Sequence, residues 1–453
     1  MALTVRSFSA DIEPLRLVER FPERYPGLLE SSSVGRFDIL PISSGETLKL
    51  TAPRLLHGPF AATGKFLDAL EQWWLALQSP QVVAPIAYPQ LPFKGGWLVY
   101  LGYELAAEIE PHLRLPPSPD PIIAWAVRTP AAWIRDRVDM RSWLISEPGC
   151  EELLNQFEQH VAVLSAPAGN AFVGVDTPPT INIQEEAGEK FERAVRRALE
   201  YTAAGEVYQT NLSRQWSGHS SAIDPTAIYL QLRSQNPSPF AAILRQGDFS
   251  LLSSSPERLF CIIDGVVSTR PIAGTRPRGT TPDEDSQLIR SLLENAKERA
   301  EHVMLVDLER NDLGKVCRAG SVRVDEFMSV ETYAHVHHIV SNISGTLRED
   351  VSPVAVIRAL FPGGTITGCP KIRCMQIIAE LEQQGRGAYT GSLGYLNRDG
   401  SCDFNILIRT ITVQGNTVGF RAGAGIVADS QPSLELAETR AKAEGLRRAL
   451  VIA

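Results

Sequence analysis

Glu294-Asn-Ala-Lys-Glu-Arg-Ala-Glu-His-Val-Met-Leu-Val-Asp-Leu-Glu-Arg-Asn-Asp-Leu-Gly-Lys-Val-Cys317 is the stretch around which this chain is organised. Ala296, Ala300, Val303 and Met304 keep helical apolar spacing, and Gly314 is a stop signal. Glu298 and Glu301 lie three apart, so they project from one helix face about a turn apart. The same spacing recurs in Glu435-Leu-Ala-Glu-Thr-Arg-Ala-Lys442, which places Glu435 and Glu438 on the last helix. Four carboxylates gathered from two helices repel one another unless a cation sits among them. Hard oxygen ligands suit Mg²⁺. Either pair alone reads equally well as a solvated helix face, so the choice falls to the rest of the chain.

Length and charge narrow the field. The chain has 453 residues, enough for a large core and two or three domains. It is 44% hydrophobic and 21% charged, as ordinary globular proteins are. A formal charge of −8 with no basic run argues against a nucleic-acid partner. No apolar run is long enough to span a membrane, and the first residues lack the apolar core of a signal peptide. The six cysteines are scattered without a Cys-x-x-Cys pair, which fits a reduced, cytoplasmic protein without zinc.

Along the chain, Gly27–Leu40 reads as two strands around a polar turn, and Phe66–Leu77 as an amphipathic helix. Pro92–Glu104 is rich in glycine and aromatic residues, which suggests tight sheet packing. Strands are predicted at Ile122–Arg128 and within Ala132–Ile145, then a helix near Glu151–Leu164. Residues 165–182, rich in Ala, Gly, Thr and Pro, are the boundary between an N-terminal subdomain (1–170) and a catalytic domain (183–453). Beyond it come a helix, Glu185–Ala204, and an alternating strand, Val207–Trp216, with Gln209 and Asn211 on one face. Further strands follow between Ala241 and Thr269, so the class is α+β, with mostly antiparallel sheets and helices outside.

Several motifs could carry chemistry. Glu257, directly after a strand, is either a general acid or the ion-pair partner of Arg258. In Arg270-Pro-Ile-Ala-Gly-Thr-Arg-Pro-Arg-Gly279, Gly274 and Thr275 lie between prolines, in a turn that can offer N–H groups and a hydroxyl to a ligand. Phe361-Pro-Gly-Gly-Thr-Ile-Thr-Gly-Cys-Pro-Lys371 is a glycine-rich loop entering a helix, suited to an anion. Ile372 follows its lysine where a Walker loop has Ser or Thr, which disfavours a nucleotide and leaves a carboxylate. Strand alternation splits His335 and His337 from His338, so a proton-transfer role suits them better than a metal. Arg409 is placed on a strand, ahead of a glycine turn at Arg421–Val427, and Lys442 lies one turn beyond Glu438. These residues outline a Mg²⁺ site beside two cations, a pocket for a small dicarboxylate.

Together the motifs resemble the chorismate-utilising enzymes, over nearly all of residues 185–450. The resemblance implies one α+β fold of the anthranilate synthase component I type and a chorismate substrate bound through Mg²⁺. Glu301 and Glu438 would be direct ligands, with Glu298 and Glu435 beside them. It implies that Arg409, Tyr389, Gly425 and Lys442 hold the substrate carboxylates, and that Thr275, Thr365 and His338 lie near the ring. Gln209, Ala273 and Gly274 complete the substrate contacts. Glu257 or His338 would protonate the departing C4 hydroxyl.

Within that family, isochorismate and salicylate synthases carry a lysine base where this chain has Gln209, and a glutamate where it has Arg270. Ammonia is therefore the expected nucleophile. Tyr208-Gln-Thr-Asn-Leu-Ser, Val336-His-His-Ile-Val-Ser and Arg36-Phe-Asp-Ile look like aminodeoxychorismate synthase. Ala273 stands where that branch has its proposed nucleophilic lysine, as in anthranilate synthases, and Leu28-Leu29-Glu30-Ser31 looks like a tryptophan-binding signature. The chain has no Gly-x-Cys-x-Gly motif for releasing ammonia from glutamine, so a separate glutamine amidotransferase subunit is implied. A non-catalytic subunit that senses chorismate or tryptophan is the reading from another class.

Overall fold

The computed structural model describes residues 3–33, 35–79, 91–165, 181–332 and 336–450. Most of the expected boundary at 165–182, and His335, lie outside the described residues. Two large antiparallel sheets are stacked with helices on their outer faces.

The first sheet runs Thr4–Phe8, Arg141–Ser146, Ala131–Asp136, Phe37–Ile42, Gly27–Glu30, Phe240–Gln246, Phe249–Ser255, Thr410–Gln414, Thr417–Ile426, Gln209–His219, Ile183–Glu185. The second runs Ile272–Pro277, Val336–Thr346, Val266–Thr269, Arg258–Ile263, Cys402–Asn405, Ser392–Asn397, Gly96–Leu101, Ile122–Thr129, Thr47–Thr51, Leu55–His57. In each sheet the strands from residues 1–170 form one end and those from residues 183–453 the other, and the two blocks pair directly, Gly27–Glu30 with Phe240–Gln246 and Gly96–Leu101 with Ser392–Asn397. The expected subdomain boundary is thus a crossing of the chain from one part of a shared framework to another.

Alternation along the strands builds the layers. Leu98, Tyr100, Trp125 and Val127 meet Ala242, Leu244, Phe249 and Leu251 between the sheets. Their neighbours Trp97, Val99, Leu101, Ala124 and Ala126 face outward, under the helix Phe66–Leu77 and the helix Pro353–Leu360. Strands buried on both faces explain why Gly96–Leu101 carries no charged residue. Across the first sheet, Ile243, Leu252, Ile411 and Phe420 are covered by Ile228 and Leu232 of one helix and by Ala443 and Leu446 of the last helix.

The organising stretch forms a helix, Ala296–Gly314. Asn295 starts it, its Oδ1 accepting from the N–H of Glu298 at 3.1 Å, one of the donors that a helix start leaves unpaired. Leu305, Val306 and Leu313 anchor the far end in the core.

Three local expectations are corrected. Gly274 and Thr275, expected in a turn between prolines, lie in the strand Ile272–Pro277, where a register shift rather than a reversal of the chain accommodates the glycine. Arg409 is not on a strand: it lies between Cys402–Asn405 and Thr410–Gln414, with a left-handed φ of 50°. Arg421–Val427 is not a turn, because Thr417–Ile426 is continuous strand paired residue for residue with Thr210–His219. Glycine in that strand reflects what must pass close to it, not a change of direction.

Candidate active site

Gly423 and Gly425, near the end of the strand Thr417–Ile426, form the floor around which the expected residues collect. Glu301 approaches from one side: its Oε1 lies 3.6 Å from where a Cβ on Gly425 would sit. Gln209 approaches from the paired strand, its Nε2 2.5 Å from that same position. Lys442 reaches in from the last helix, donating to the Gly423 carbonyl at 3.2 Å and pairing with Glu438 at 2.6 Å. The Tyr389 hydroxyl and Asn211 Oδ1 stand 2.6 and 2.9 Å from the Cβ position of Gly423. Any side chain at either glycine would fill the space a ligand needs.

Opposite this floor are the groups able to move protons. Glu257 is buried, and its Oε1 accepts from the Thr365 hydroxyl at 2.7 Å. Burial pushes its carboxyl up to about 7; the Thr365 hydrogen bond, Lys442 and Arg409 oppose that rise, and the charge of Glu309 adds to it. Glu257 is therefore a carboxylic acid that still holds a proton near neutrality. Its expected alternative role, pairing with Arg258, is taken by Asp403, which binds that guanidinium at 2.8 Å.

His338 is buried too, and burial, with Arg409 nearby, lowers its pKa to about 4. Its Nδ1 stands 3.3 Å from the Gly274 carbonyl, which can only accept, so Nδ1 carries the hydrogen. His338 is thus a neutral imidazole at physiological pH, which leaves Glu257 the better placed of the two expected proton donors. His337 has a structural role, held between Asp285 at 2.8 Å and Thr332 at 2.9 Å.

Ala273 is buried beside Gly274 in the strand Ile272–Pro277, where the register shifts between residues 273 and 275. That shift and the φ of +66° at Gly274 turn the backbone toward Glu298, whose Oε2 is 2.2 Å from the Cβ position of Gly274. Thr275 pairs through its backbone with His338, and its side chain lies outside the described residues.

The four glutamates have not closed on a centre. Glu298 turns to Arg276 at 2.6 Å, Glu438 turns to Lys442, and Glu435 is buried in the first turn of the last helix. Among the described residues, no three His, Cys, Asp or Glu side chains stand together closely enough to hold a metal ion. The donor chemistry nevertheless fits one. Glu298 Oε2 is buried with no hydrogen-bond partner among the described residues, and two of the carboxylates are held by protein cations. Gln209 Oε1 and Asn211 Oδ1 are likewise buried acceptors with no partner among the described residues.

A groove of about 960 Å³ opens beside these groups, lined by Tyr208, Glu301, Met304, Asp312, Cys369 and Val427 among others. Leu29, Glu30 and Ser31 are elsewhere. They line a separate cavity of about 320 Å³ with Phe240, Gly394, Tyr395 and Asn405. Glu30 commits its carboxylate to Tyr229 at 2.7 Å and Arg233 at 3.1 Å, whereas Ser31 Oγ is buried without a partner among the described residues.

Sequence reading missed the groups that fix Tyr389. Glu104 accepts from the Arg386 N–H at 2.7 Å, and Asp120 accepts from the Ala388 N–H at 2.7 Å. Arg386 is buried and paired with Glu382 at 2.6 Å, and Glu382 also holds Arg421 at 3.0 Å. Arg386 donates to the Asn211 carbonyl at 2.7 Å as well, which locks the tyrosine turn to the strand carrying Gln209. No spacing pattern links residues 104, 120, 211, 382, 386 and 421. Only their burial shows the connection.

A family model for chorismate binding enzymes matches residues 49–448, and the chain belongs to that family. Aminodeoxychorismate synthase component 1 of Bacillus subtilis is 40% identical, over 93% of this chain and 91% of its own length. Anthranilate synthase component 1 of Thermus thermophilus is 38% identical, over 99% of this chain and 97% of its own. The crystal structure of anthranilate synthase component I from Streptococcus pneumoniae superimposes with a TM-score of 0.81 at 30% identity, covering 96% of this chain and 98% of that one. The α+β fold expected from the sequence is therefore the observed one, and the chain is a chorismate-binding enzyme.

Proposed function

We propose that the chain is the component I of an aminodeoxychorismate synthase, joining ammonia to chorismate at C4 to give 4-amino-4-deoxychorismate, the precursor of 4-aminobenzoate and folate. The observation that carries amination over hydration is the pair of amide oxygens without partners among the described residues, Gln209 Oε1 and Asn211 Oδ1, in a site that also holds a protonated acid; Tyr208–Ser213, Val336–Ser341 and Arg36–Ile39 support attack at C4. Amide oxygens accept hydrogen bonds from the N–H groups of ammonia, whereas a water nucleophile needs a base, and glutamine is none.

Lys442, Arg409 and the Tyr389 hydroxyl bind and orient the two substrate carboxylates; burial pushes that phenol up to about 12, so it stays a donor. Glu257 gives its proton to the C4 hydroxyl, the C4–O bond breaks and water leaves. The ammonia lone pair forms the new C–N bond, and the surplus N–H proton returns to Glu257. Neutral His338 presents Nε2 as an acceptor that orients the departing hydroxyl. Glu298, Glu301, Glu435 and Glu438 would hold Mg²⁺, which when bound supplies positive charge to the C1 carboxylate. Ammonia would come from a separate glutamine amidotransferase subunit, as the component naming of the relatives suggests.

Ala273 favours a second reading, anthranilate synthase, in which ammonia ends at C2. The test is incubation with chorismate, Mg²⁺ and ammonium. 4-Aminobenzoate formed only after adding aminodeoxychorismate lyase supports the first reading and makes a lysine at 273 dispensable. Fluorescent anthranilate without the lyase overturns it in favour of the second.

A further inference from the structure

One buried carboxyl close to the acid has no part in the mechanism above. Glu309 is 4% exposed and lies two turns beyond Glu301 on the same helix. Its Oε2 accepts from the Thr269 hydroxyl at 3.1 Å, just before the Pro271–Thr275 segment. It also accepts from the backbone N–H of Gly364. There the glycine-rich loop presses so closely on the helix that a Cβ at residue 364 would lie 2.4 Å from Leu308 Cδ2 and 3.2 Å from Glu309 Oε1. The next residue in that loop is Thr365, whose hydroxyl is the hydrogen-bond donor to Glu257.

We propose that Glu309 is a positioning residue of the active site: it holds the Gly364–Thr365 loop so that Thr365 stays on Glu257, and its negative charge biases Glu257 toward the acid form. The inference rests on Glu257 being the proton donor. Around the pair, Glu257 faces Lys442, Arg409 and Glu309, and Glu309 faces Lys371, Asp312 and Glu257. Lys371 is itself held by Asp312 and by the Leu360 carbonyl at 3.2 Å, which leaves less of its charge for Glu309. Each carboxyl is pushed up to about 7, chiefly by burial. Two such groups ionise in turn, so removing one makes the other easier to ionise.

The test is the pH profile of kcat and kcat/KM for the full chain at saturating chorismate and Mg²⁺, with free ammonia held constant. Glu309→Gln, whose amide oxygen can still accept from the Gly364 N–H and so keep Thr365 on Glu257, removes the charge alone and is expected to move the alkaline limb about one unit toward acid, cutting kcat roughly tenfold above the limb while KM for chorismate stays within about twofold. Thr269→Val, which removes only a hydrogen bond to Glu309, is expected to move the limb the same way by less. If Glu309→Gln does not fold, the valine variant decides alone. A limb that stays in place, including a uniform loss at every pH, overturns the proposal. A limb that persists in Glu257→Gln means instead that the acid itself was misassigned, and the role of Glu309 falls with it.

Discussion

The Thr365 hydroxyl donates a 2.7 Å hydrogen bond to Oε1 of Glu257, joining the glycine-rich loop to a buried acid at the crossing between the two sheets. The bond favours the ionised form, so Thr365 restrains a pKa that burial raises. Thr365→Val is expected to move the alkaline limb of kcat to higher pH, opposite in sign to Glu309→Gln. Glu257→Gln is expected to lose roughly 10²–10⁴-fold in kcat with little change in KM. Steady-state assays from about pH 6 to about pH 9, which bracket a group titrating near neutrality, check both.

The same burial makes a stability prediction. The folded pKa of Glu257 lies above its unfolded value, at about 7 against 4.5. Its contribution is fully present below the unfolded pKa and is lost as pH rises through the folded one. Glu257→Gln should therefore melt higher than the parent chain above neutral pH and show no such gain at acid pH. Paired thermal melts at the two extremes test this, and an equal difference at both would contradict it.

Arg276 holds Glu298 at 2.6 Å, in competition with any cation at that carboxylate. Arg276→Ala is expected to lower the Mg²⁺ concentration for half-maximal activity by about threefold to tenfold, and Glu298→Gln to raise it. Alanine at Glu301 or Glu438 should abolish Mg²⁺-dependent turnover. Magnesium titrations of each variant are the measurement.

Glu382 lies between two buried guanidiniums, Arg386 and Arg421, and also accepts from the Ser213 N–H at 2.8 Å. Removing it leaves both cations uncompensated, at a cost of about 3–5 kcal/mol. Glu382→Ala should show that loss in urea denaturation. Arg421→Met, which keeps the Glu382–Arg386 pair, should lose clearly less.

Ser31 Oγ, buried and without a partner among the described residues, is a polar atom of the second cavity that a ligand could engage, whereas Glu30 is committed to Tyr229 and Arg233. L-tryptophan is expected to raise the melting temperature of the parent chain, and Ser31→Leu, which fills the cavity, to remove that response. A scan with and without the amino acid decides it. No shift in the parent chain would leave the Leu29–Ser31 signature without a ligand.

Much of the site was legible because helical spacing and glycine placement are local. Glu298 and Glu301, Glu435 and Glu438, and the loop at Gly363–Thr365 stand on the elements their patterns predict, whereas Gly274, expected in a turn, lies in the strand Ile272–Pro277. The local reading failed where packing overrides it. Two nearby glycines at 423 and 425 look like a turn, yet they lie in a strand because other side chains crowd against them. Arg409 looks like a strand residue, yet its backbone is left-handed.

Composition, periodicity and motif order determined the α+β class, the two glutamate pairs and the kind of ligand they suit, because each depends on residues a few positions apart. Which groups carry protons was decided only by the tertiary structure. Glu257 keeps its proton and His338 loses one because both are removed from water, with Glu309 near the first and Arg409 near the second. Those neighbours are 52 and 71 positions away along the chain (309 − 257 and 409 − 338). Desolvation and charge act through space, so no reading along the sequence could supply them.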